Sequence, residues 1–423
     1  MSDKKIKNEI DWIGSIPHGW ASNKAKYLFA LRSSKGNSLS LKLLTPSQIY
    51  GVIPQEKYER LSSFKTVKLK EGTDLKQFRT VHKGDFCISL RSFQGGFEFS
   101  TYEGVVSPAY QIFYPVKKVC GRYYKYLFKV EPFINKINSL TLSLRDGKNI
   151  SFFDFGNIRI PKPNLEVQEK IANFLDNKCS EIDSLVADIQ KEISILEEYK
   201  KTVITEAVTK GITHCVEMKN SPCPWIGAVP SHWVISKLKY KLRRNDVKNR
   251  GNCTVLSLYR EYGVIPKDSR DDNHNVTSED TSKYKFVRVG DFVINKMKAW
   301  QGSVAVSSYE GIVSPAYYVY NFTDNSYNKK YFHYLIRSCY KDEFRRLSGG
   351  IREGQWDLPS TALDNVTVLC PPIEEQNKIA EYLDKKTSVI EKTISEKQSQ
   401  LEILAEYKKS IIYEYVTGKK EVI

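Results

Sequence analysis

Glu166-Val167-Gln168-Glu169-Lys170-Ile171-Ala172-Asn173-Phe174-Leu175-Asp176 decides the fold, because the chain writes it again 208 residues later as Glu374-Glu375-Gln376-Asn377-Lys378-Ile379-Ala380-Glu381-Tyr382-Leu383-Asp384. Each copy opens a long stretch of helical pattern, Glu166 to Val208 and Glu374 to Thr417. In the first, Leu175, Ile182, Ile189, Leu196 and Val203 recur every seven residues. Cys179, Val186, Ile193, Lys200 and Ala207 follow four further on, a seam of coiled-coil period. The second places Leu383, Ile390, Leu404 and Ile411 at the first set, and Ile394, Leu401 and Tyr415 at the other, with Lys397 as a break. Pro161 and Pro163, or Pro371 and Pro372, precede the helices, and Glu166, Glu169, Glu374 and Glu375 suit the positive end of a helix dipole. Gly211 and Gly418 are the expected stops. Two such helices must cover their apolar seams, and each is the other's nearest partner.

The repeat extends over the whole chain. Trp12-Ile13-Gly14, Pro17 and Trp20 return as Trp225-Ile226-Gly227, Pro230 and Trp233, and Tyr50 to Pro54 returns intact at Tyr262 to Pro266. Gly84-Asp85-Phe86 returns as Gly290-Asp291-Phe292, and Tyr102 to Tyr110 returns at Tyr309 to Tyr317 with Ile312 replacing a valine. A shift that drifts by so little means two copies of one unit. In the first copy Thr66 to Leu69, Phe86 to Leu90, Val105 to Tyr114 and Ile158 to Ile160 read as short strands. Tyr123 to Lys136 and Tyr331 to Arg345 read as helices, and Ile212 to Pro224 as a linker. The expected fold is α+β: two pseudo-symmetric globules, 1–160 and 213–370, with long helices at 161–212 and 371–423 forming an antiparallel coiled coil.

Composition narrows the partners. The 423 residues carry 65 Lys and Arg against 49 Asp and Glu, a formal net charge of +16, which points to a polyanion such as nucleic acid. No apolar run approaches the roughly 20 residues that span a bilayer. Met1 to Asn8 is polar without the apolar core of a signal peptide, which implies the cytoplasm. The eight cysteines are scattered without CxxC pairs, as expected of reduced thiols, and the spacing of His214, Cys215, Cys223 and His232 matches no zinc pattern. There is no GxxxxGK[ST] phosphate loop, no glycine-rich turn for S-adenosylmethionine, and no nucleophile flanked by a base. Cys370-Pro371-Pro372-Ile373 is a brake before a helix rather than a methyltransferase signature. The expectation is binding without catalysis, cofactor or metal.

A Trp/Pro opening, a variable globule, a proline-led Glu-x-Gln-x-Lys-Ile-Ala-x-x-Leu-Asp helix and a complete second copy resemble the specificity subunit of type I restriction-modification enzymes. The resemblance covers essentially the whole chain. It implies target-recognition globules that each read one half of a split DNA sequence. It also implies helices that pair antiparallel and hold methylase subunits, two of them, with restriction subunits in the full complex. Helices of about 43 residues at 1.5 Å each reach roughly 65 Å, enough to serve as a ruler between major-groove half-sites about 34 Å apart. A free-standing DNA-binding regulator with a coiled-coil arm is the rival reading, though regulators gain two-fold symmetry by pairing chains rather than by duplication within one.

Segments alike in both copies cannot distinguish two half-sites, so the candidates for DNA contact are the segments that differ. Arg91, Ser92 and Gln94 stand opposite Lys296, Lys298 and Gln301, and Arg145, Lys148 and Asn149 stand opposite Arg352 and Gln355. These side chains match guanine and adenine edges. Tyr199, Lys200 and Lys201, repeated as Tyr407, Lys408 and Lys409, are candidates for partner docking, with register-setting at the seam as the other role for the lysines.

Overall fold

The computed structural model describes residues 9–35, 42–62, 64–66, 75–88, 95–140, 150–213, 215–248, 251, 253–270, 277, 280–350 and 356–422. The long helices run Leu165–Lys210 and Ile373–Val416. Asn164 caps the first, its side-chain oxygen accepting the Val167 N–H at 2.8 Å. Both end as the sequence predicts, on glycines in the left-handed region, Gly211 at φ +77 and Gly418 at φ +73.

Chain contacts divide the molecule into two compact units, Met1–Ile189 with Ser399–Ile423, and Gln190–Gln398. Each unit therefore takes half of each long helix. In the first, Phe174 meets Tyr415 with ring centroids 4.4 Å apart, and Asp183 pairs with Lys408 at 2.5 Å. Positions rise on one helix as they fall on the other, so the halves run antiparallel. In the second unit Glu192 pairs with Lys397 and Lys200 with Glu391, again antiparallel. Leu175, Cys179, Ile182 and Ile189 are buried along the seam of the first helix, and Leu383, Ile390 and Ile411 along the second. The seam break at Lys397 is resolved by its ion pair.

The globular part of the first unit is built on an antiparallel sheet ordered Phe29–Leu31, Gln111–Pro115, Phe86–Ile88, Phe97–Phe99. A hairpin of Leu44–Ser47 with Gly51–Pro54 and an antiparallel pair of Arg79–Val81 with Gly104–Val106, strands that the chain separates by two strands of the main sheet, complete it. Ala21–Lys24 pairs with Arg159–Lys162, the strand that leads into the first long helix. The second unit repeats this order: Leu242–Arg244, Tyr317–Phe322, Phe292–Asn295, Val304–Val306, with Val234–Lys237 pairing Thr367–Cys370. A close approach keeps one glycine in both copies. A Cβ on Gly104 would lie 2.2 Å from the Lys42 carbonyl, and one on Gly311 2.3 Å from that of Thr254.

Several sequence expectations are corrected. Val105 to Tyr114 is two strands, because Ser107 and Pro108 begin a turn closed by the Tyr110 N–H on the Ser107 carbonyl at 3.1 Å. Tyr123 to Lys136 is two helices, Gly121–Leu127 and Glu131–Ser139, since Pro132 has no N–H to continue the ladder. Tyr331 to Arg345 breaks likewise into Lys329–Cys339 and Lys341–Leu347 at Tyr340, which is fully buried between them. The expected linker contains a strand, Met218–Asn220, paired with Ala228–Pro230. Of Thr66 to Leu69, Thr66 forms no strand and the rest lies outside the described residues, as do the last two positions of Phe86 to Leu90.

Candidate nucleic-acid interface

Of the residues selected for DNA contact, Arg91, Ser92, Gln94, Arg145, Lys148, Asn149, Arg352 and Gln355 lie outside the described residues. Lys296, Lys298 and Gln301 are described, and their loop is a built structure. It leaves the buried strand Phe292–Asn295 through an Asn295 side-chain oxygen that accepts the Met297 N–H at 3.1 Å. A short turn, Ala299–Gln301, follows and closes on Gly302 at φ +87. The indoles of Trp300 and Trp356 lie 5.4 Å apart, and the Leu358 N–H donates to the Lys296 carbonyl at 3.0 Å. Two loops about 55 residues apart in sequence, both chosen because they differ between the copies, are thus joined in space. Lys296 is partly neutralised by Asp357 at 3.3 Å, whereas Lys298 is exposed. Lys298 is the better placed of the two to meet an anion.

The partner-docking candidates separate into two sets. Lys200 and Lys408 turn across the seam to Glu391 and Asp183, while Tyr199 and Tyr407 are 47% and 52% exposed. Lys201 is exposed, and Lys409 is exposed beside Glu406 at 2.7 Å on its own helix. Ile195 and Ile403, one turn before the tyrosines, are also exposed at equivalent positions.

What positions the globular parts is a set of joints that sequence reasoning passed over. Gln168 is wholly buried; its carbonyl oxygen accepts the Cys120 N–H at 2.8 Å and its amide donates to Pro163 at 2.8 Å. Gln376 is its equivalent, accepting from Asn328 at 2.8 Å and donating to Pro371 and Ser326 at 2.7 and 2.8 Å. Tyr126 donates to Asp176 at 2.7 Å, and Tyr334 to Asp384 at 2.9 Å. Tyr123 donates to the Val416 carbonyl at 2.7 Å and Tyr331 to that of Val208 at 3.0 Å. Each globular part therefore grips the start of one long helix and the end of the other. A signal was present: Gln168 and Gln376 are identical while their neighbours Val167 and Glu375, or Glu169 and Asn377, are not.

The two units differ in buried ionisable groups. Burial raises the Glu98 carboxyl from 4.5 to about 7, opposed by Lys129 at 2.6 Å. Its equivalent in the second unit is Ala305. Burial lowers His333 from 6.5 to about 4, with Arg337 adding to the effect, and its Nδ1 accepts the Val306 N–H at 3.2 Å. Among the described residues no group of acidic, histidine and cysteine side chains is arranged to hold a metal, and no helix is long and apolar enough to cross a membrane.

The family model for the type I restriction modification DNA specificity domain matches residues 17–194 and 241–402. The specificity subunit of the type I restriction enzyme MjaVIII from Methanocaldococcus jannaschii is 28% identical over 288 residues, 63% of this chain and 63% of that relative. The EcoKI specificity subunit of Escherichia coli is 25% identical over 197 residues, 47% of this chain and 39% of that one. The matched region thus spans less than two thirds of these relatives' length. The HsdS subunit from Thermoanaerobacter tengcongensis shares the fold with a TM-score of 0.57 at 15% identity, covering 96% of this chain and 98% of that one. A chain described under "Structural basis underlying complex assembly and conformational transition of the type I R-M system" reaches 0.72 at 13% identity, covering 96% and 100%. With both copies of the duplicated unit matched, the chain belongs to the type I restriction-modification DNA specificity family.

Proposed function

We propose that this chain is the non-catalytic DNA-recognition subunit of a type I restriction-modification complex. Residues 1–160 and 213–370 act as target-recognition domains, each reading one half of a split target in duplex DNA. The helical segments 161–212 and 371–423 set the distance between the halves. They also dock methylase subunits, one at Tyr199 and Lys201 and one at Tyr407 and Lys409, so that adenine methylation, and cleavage by restriction subunits, are directed to the target. The observation that carries the reading is the family match to both copies, at 17–194 and 241–402, while the loops chosen for base contact differ between them.

Sequencing of methylated sites in a host that expresses the chain with a methylase subunit tests it. A single bipartite adenine-methylated motif is expected. Replacing Leu31 to Ile160 by the same region of a relative changes one half of that motif and leaves the other. Alteration of both halves, or methylation by the chain alone with S-adenosylmethionine, overturns the proposal.

A further inference from the structure

Each unit carries a Lys-x-Lys-Tyr run shortly after its Trp/Pro segment, Lys24-Ala25-Lys26-Tyr27 and Lys237-Leu238-Lys239-Tyr240. In both, the last three residues form one tight turn, Ala25–Tyr27 and Leu238–Tyr240. The apolar residue pins it. Ala25 and Leu238 are fully buried, and their N–H groups donate to the Ile158 and Val366 carbonyls at 2.9 and 2.8 Å. The lysine and tyrosine that follow face solvent, with Tyr27 55% and Tyr240 65% exposed.

The exposed pair is held the same way twice. Lys26 Nζ donates to Asn157 Oδ1 at 3.1 Å and sits 5.8 Å from the Tyr27 ring centroid. Lys239 Nζ donates to Asn365 Oδ1 at 3.1 Å and sits 5.3 Å from that of Tyr240. The asparagines are themselves fixed by donating to the carbonyl four residues earlier, Phe153 at 3.0 Å and Thr361 at 2.8 Å. Around them the copies diverge: Phe155 and Gly156 stand where the second unit has Leu363 and Asp364.

Fold stability does not account for this device. Ordering an exposed lysine costs side-chain entropy that a hydrogen bond in water recovers poorly, and an exposed tyrosine on a turn buries little apolar area. An asparagine, unlike the Asp357 that meets Lys296, fixes the ammonium without cancelling its charge. The result is a pre-positioned cation beside a phenol hydroxyl, both able to donate to an anion. Because the device is the same in both units, it fits a ligand that both units share, which the bases of two half-sites are not. The phosphodiester backbone is.

The geometry points to Lys26 with Tyr27, and Lys239 with Tyr240, as sequence-independent phosphate contacts on duplex DNA, one in each unit. This rests on the reading that the chain binds duplex DNA. The test is binding of a random-sequence DNA duplex by the full chain across a range of salt concentrations. Lys26→Ala and Lys239→Ala each lower the magnitude of the slope of log affinity against log salt by about one, and the double variant by about two. The affinity loss has the same factor on every duplex sequence. Asn157→Asp and Asn365→Asp, which keep the lysine but neutralise it, move the slope in the same direction. Thermal midpoints equal to the parent's show that the variants are folded. If the parent binds and the variants match its affinity and slope, the inference is wrong while DNA binding stands. If the parent binds no duplex at any salt, the DNA reading falls and takes the inference with it. An unchanged slope with weakened capture of the methylase subunit assigns the site to an acidic protein surface and overturns it as well.

Discussion

The two units share a strand order but not a core. The first packs Phe29, Phe86, Phe97, Phe113, Phe128 and Phe155 around one another, many edge to face, with centroids such as Phe29 to Phe113 at 5.5 Å and Phe113 to Phe155 at 4.9 Å. At the equivalent positions the second has Leu242, Phe292, Val304, Tyr320, Ile336 and Leu363, with a single phenylalanine kept. The joints to the long helices show the reverse: Gln168 and Gln376, Tyr123 and Tyr331, and Tyr126 and Tyr334 are identical and make equivalent bonds, to which Gln376 adds one to the Ser326 carbonyl. A core tolerates exchange of apolar residues when the volume is filled. A buried amide that must meet particular backbone groups does not. One joint has changed as a set. Glu375 accepts from Trp233 and His232 at 3.1 and 2.9 Å, where the first unit has Val167, Trp20 and Gly19, so the carboxylate and its histidine partner are lost together.

The largest effect is expected in the phenylalanine core. Phe128→Ala removes a ring with several edge contacts and should cost about 3–5 kcal/mol. Calorimetry should show a lowered transition for the first unit and an unmoved one for the second; equal lowering of both would mean that the units do not melt separately.

The second test is pH. For Glu98, the unfolded chain releases its proton near 4.5 while the folded chain holds it to about 7, so the first unit loses stability as pH rises through that window. For His333, the unfolded chain takes a proton near 6.5 while the folded chain resists until about 4, so the second unit loses stability as pH falls through that window. Each contribution is at most roughly 3 kcal/mol. Glu98→Gln should flatten the first dependence and His333→Gln the second. Denaturant melts across pH that keep both slopes in both variants would remove these groups as the cause.

Third, Gln168→Ala and Gln376→Ala leave buried backbone groups unpaired and should cost about 1–3 kcal/mol. Gln376 should cost the more, since it makes three bonds to the other's two. Chemical denaturation of both variants measures the order, and a reversed order would show that strength at the joint is not set by bond count. The smallest effect belongs to the seam. Lys397→Ala and Lys200→Ala remove partly exposed pairs with Glu192 and Glu391 and should change stability by about 0–1 kcal/mol. A loss several times larger at Lys397 alone would mark that pair as the register device of the coiled coil.

Duplication, the two long helices and their stops were legible because seven-residue spacing, prolines and terminal glycines are local signals. Comparing the copies with each other also shows which loops differ between them, which is why those loops are the ones proposed to read different bases. The breaks at Pro132 and Pro108 were also legible in principle, but β-branched and aromatic runs on either side masked them. The joining of Trp300 to Trp356, and of Lys296 to Asp357, was not, since nothing in a sequence marks which loops meet.

The sequence by itself determined that there are two copies of one α+β unit, that each ends in an amphipathic helix, and that the surface is basic. Those properties follow from periodicity and composition along a single chain. Tertiary structure alone decided which partner each polar group meets. Gln168 is only a helix residue until the Cys120 N–H approaches it, and Lys200 is only a lysine on an apolar stripe until Glu391 lies opposite. The reason is physical: apolar burial is nondirectional and can be read from pattern, whereas a hydrogen bond requires a donor and an acceptor within about 3 Å, and only the folded chain brings distant residues to that distance.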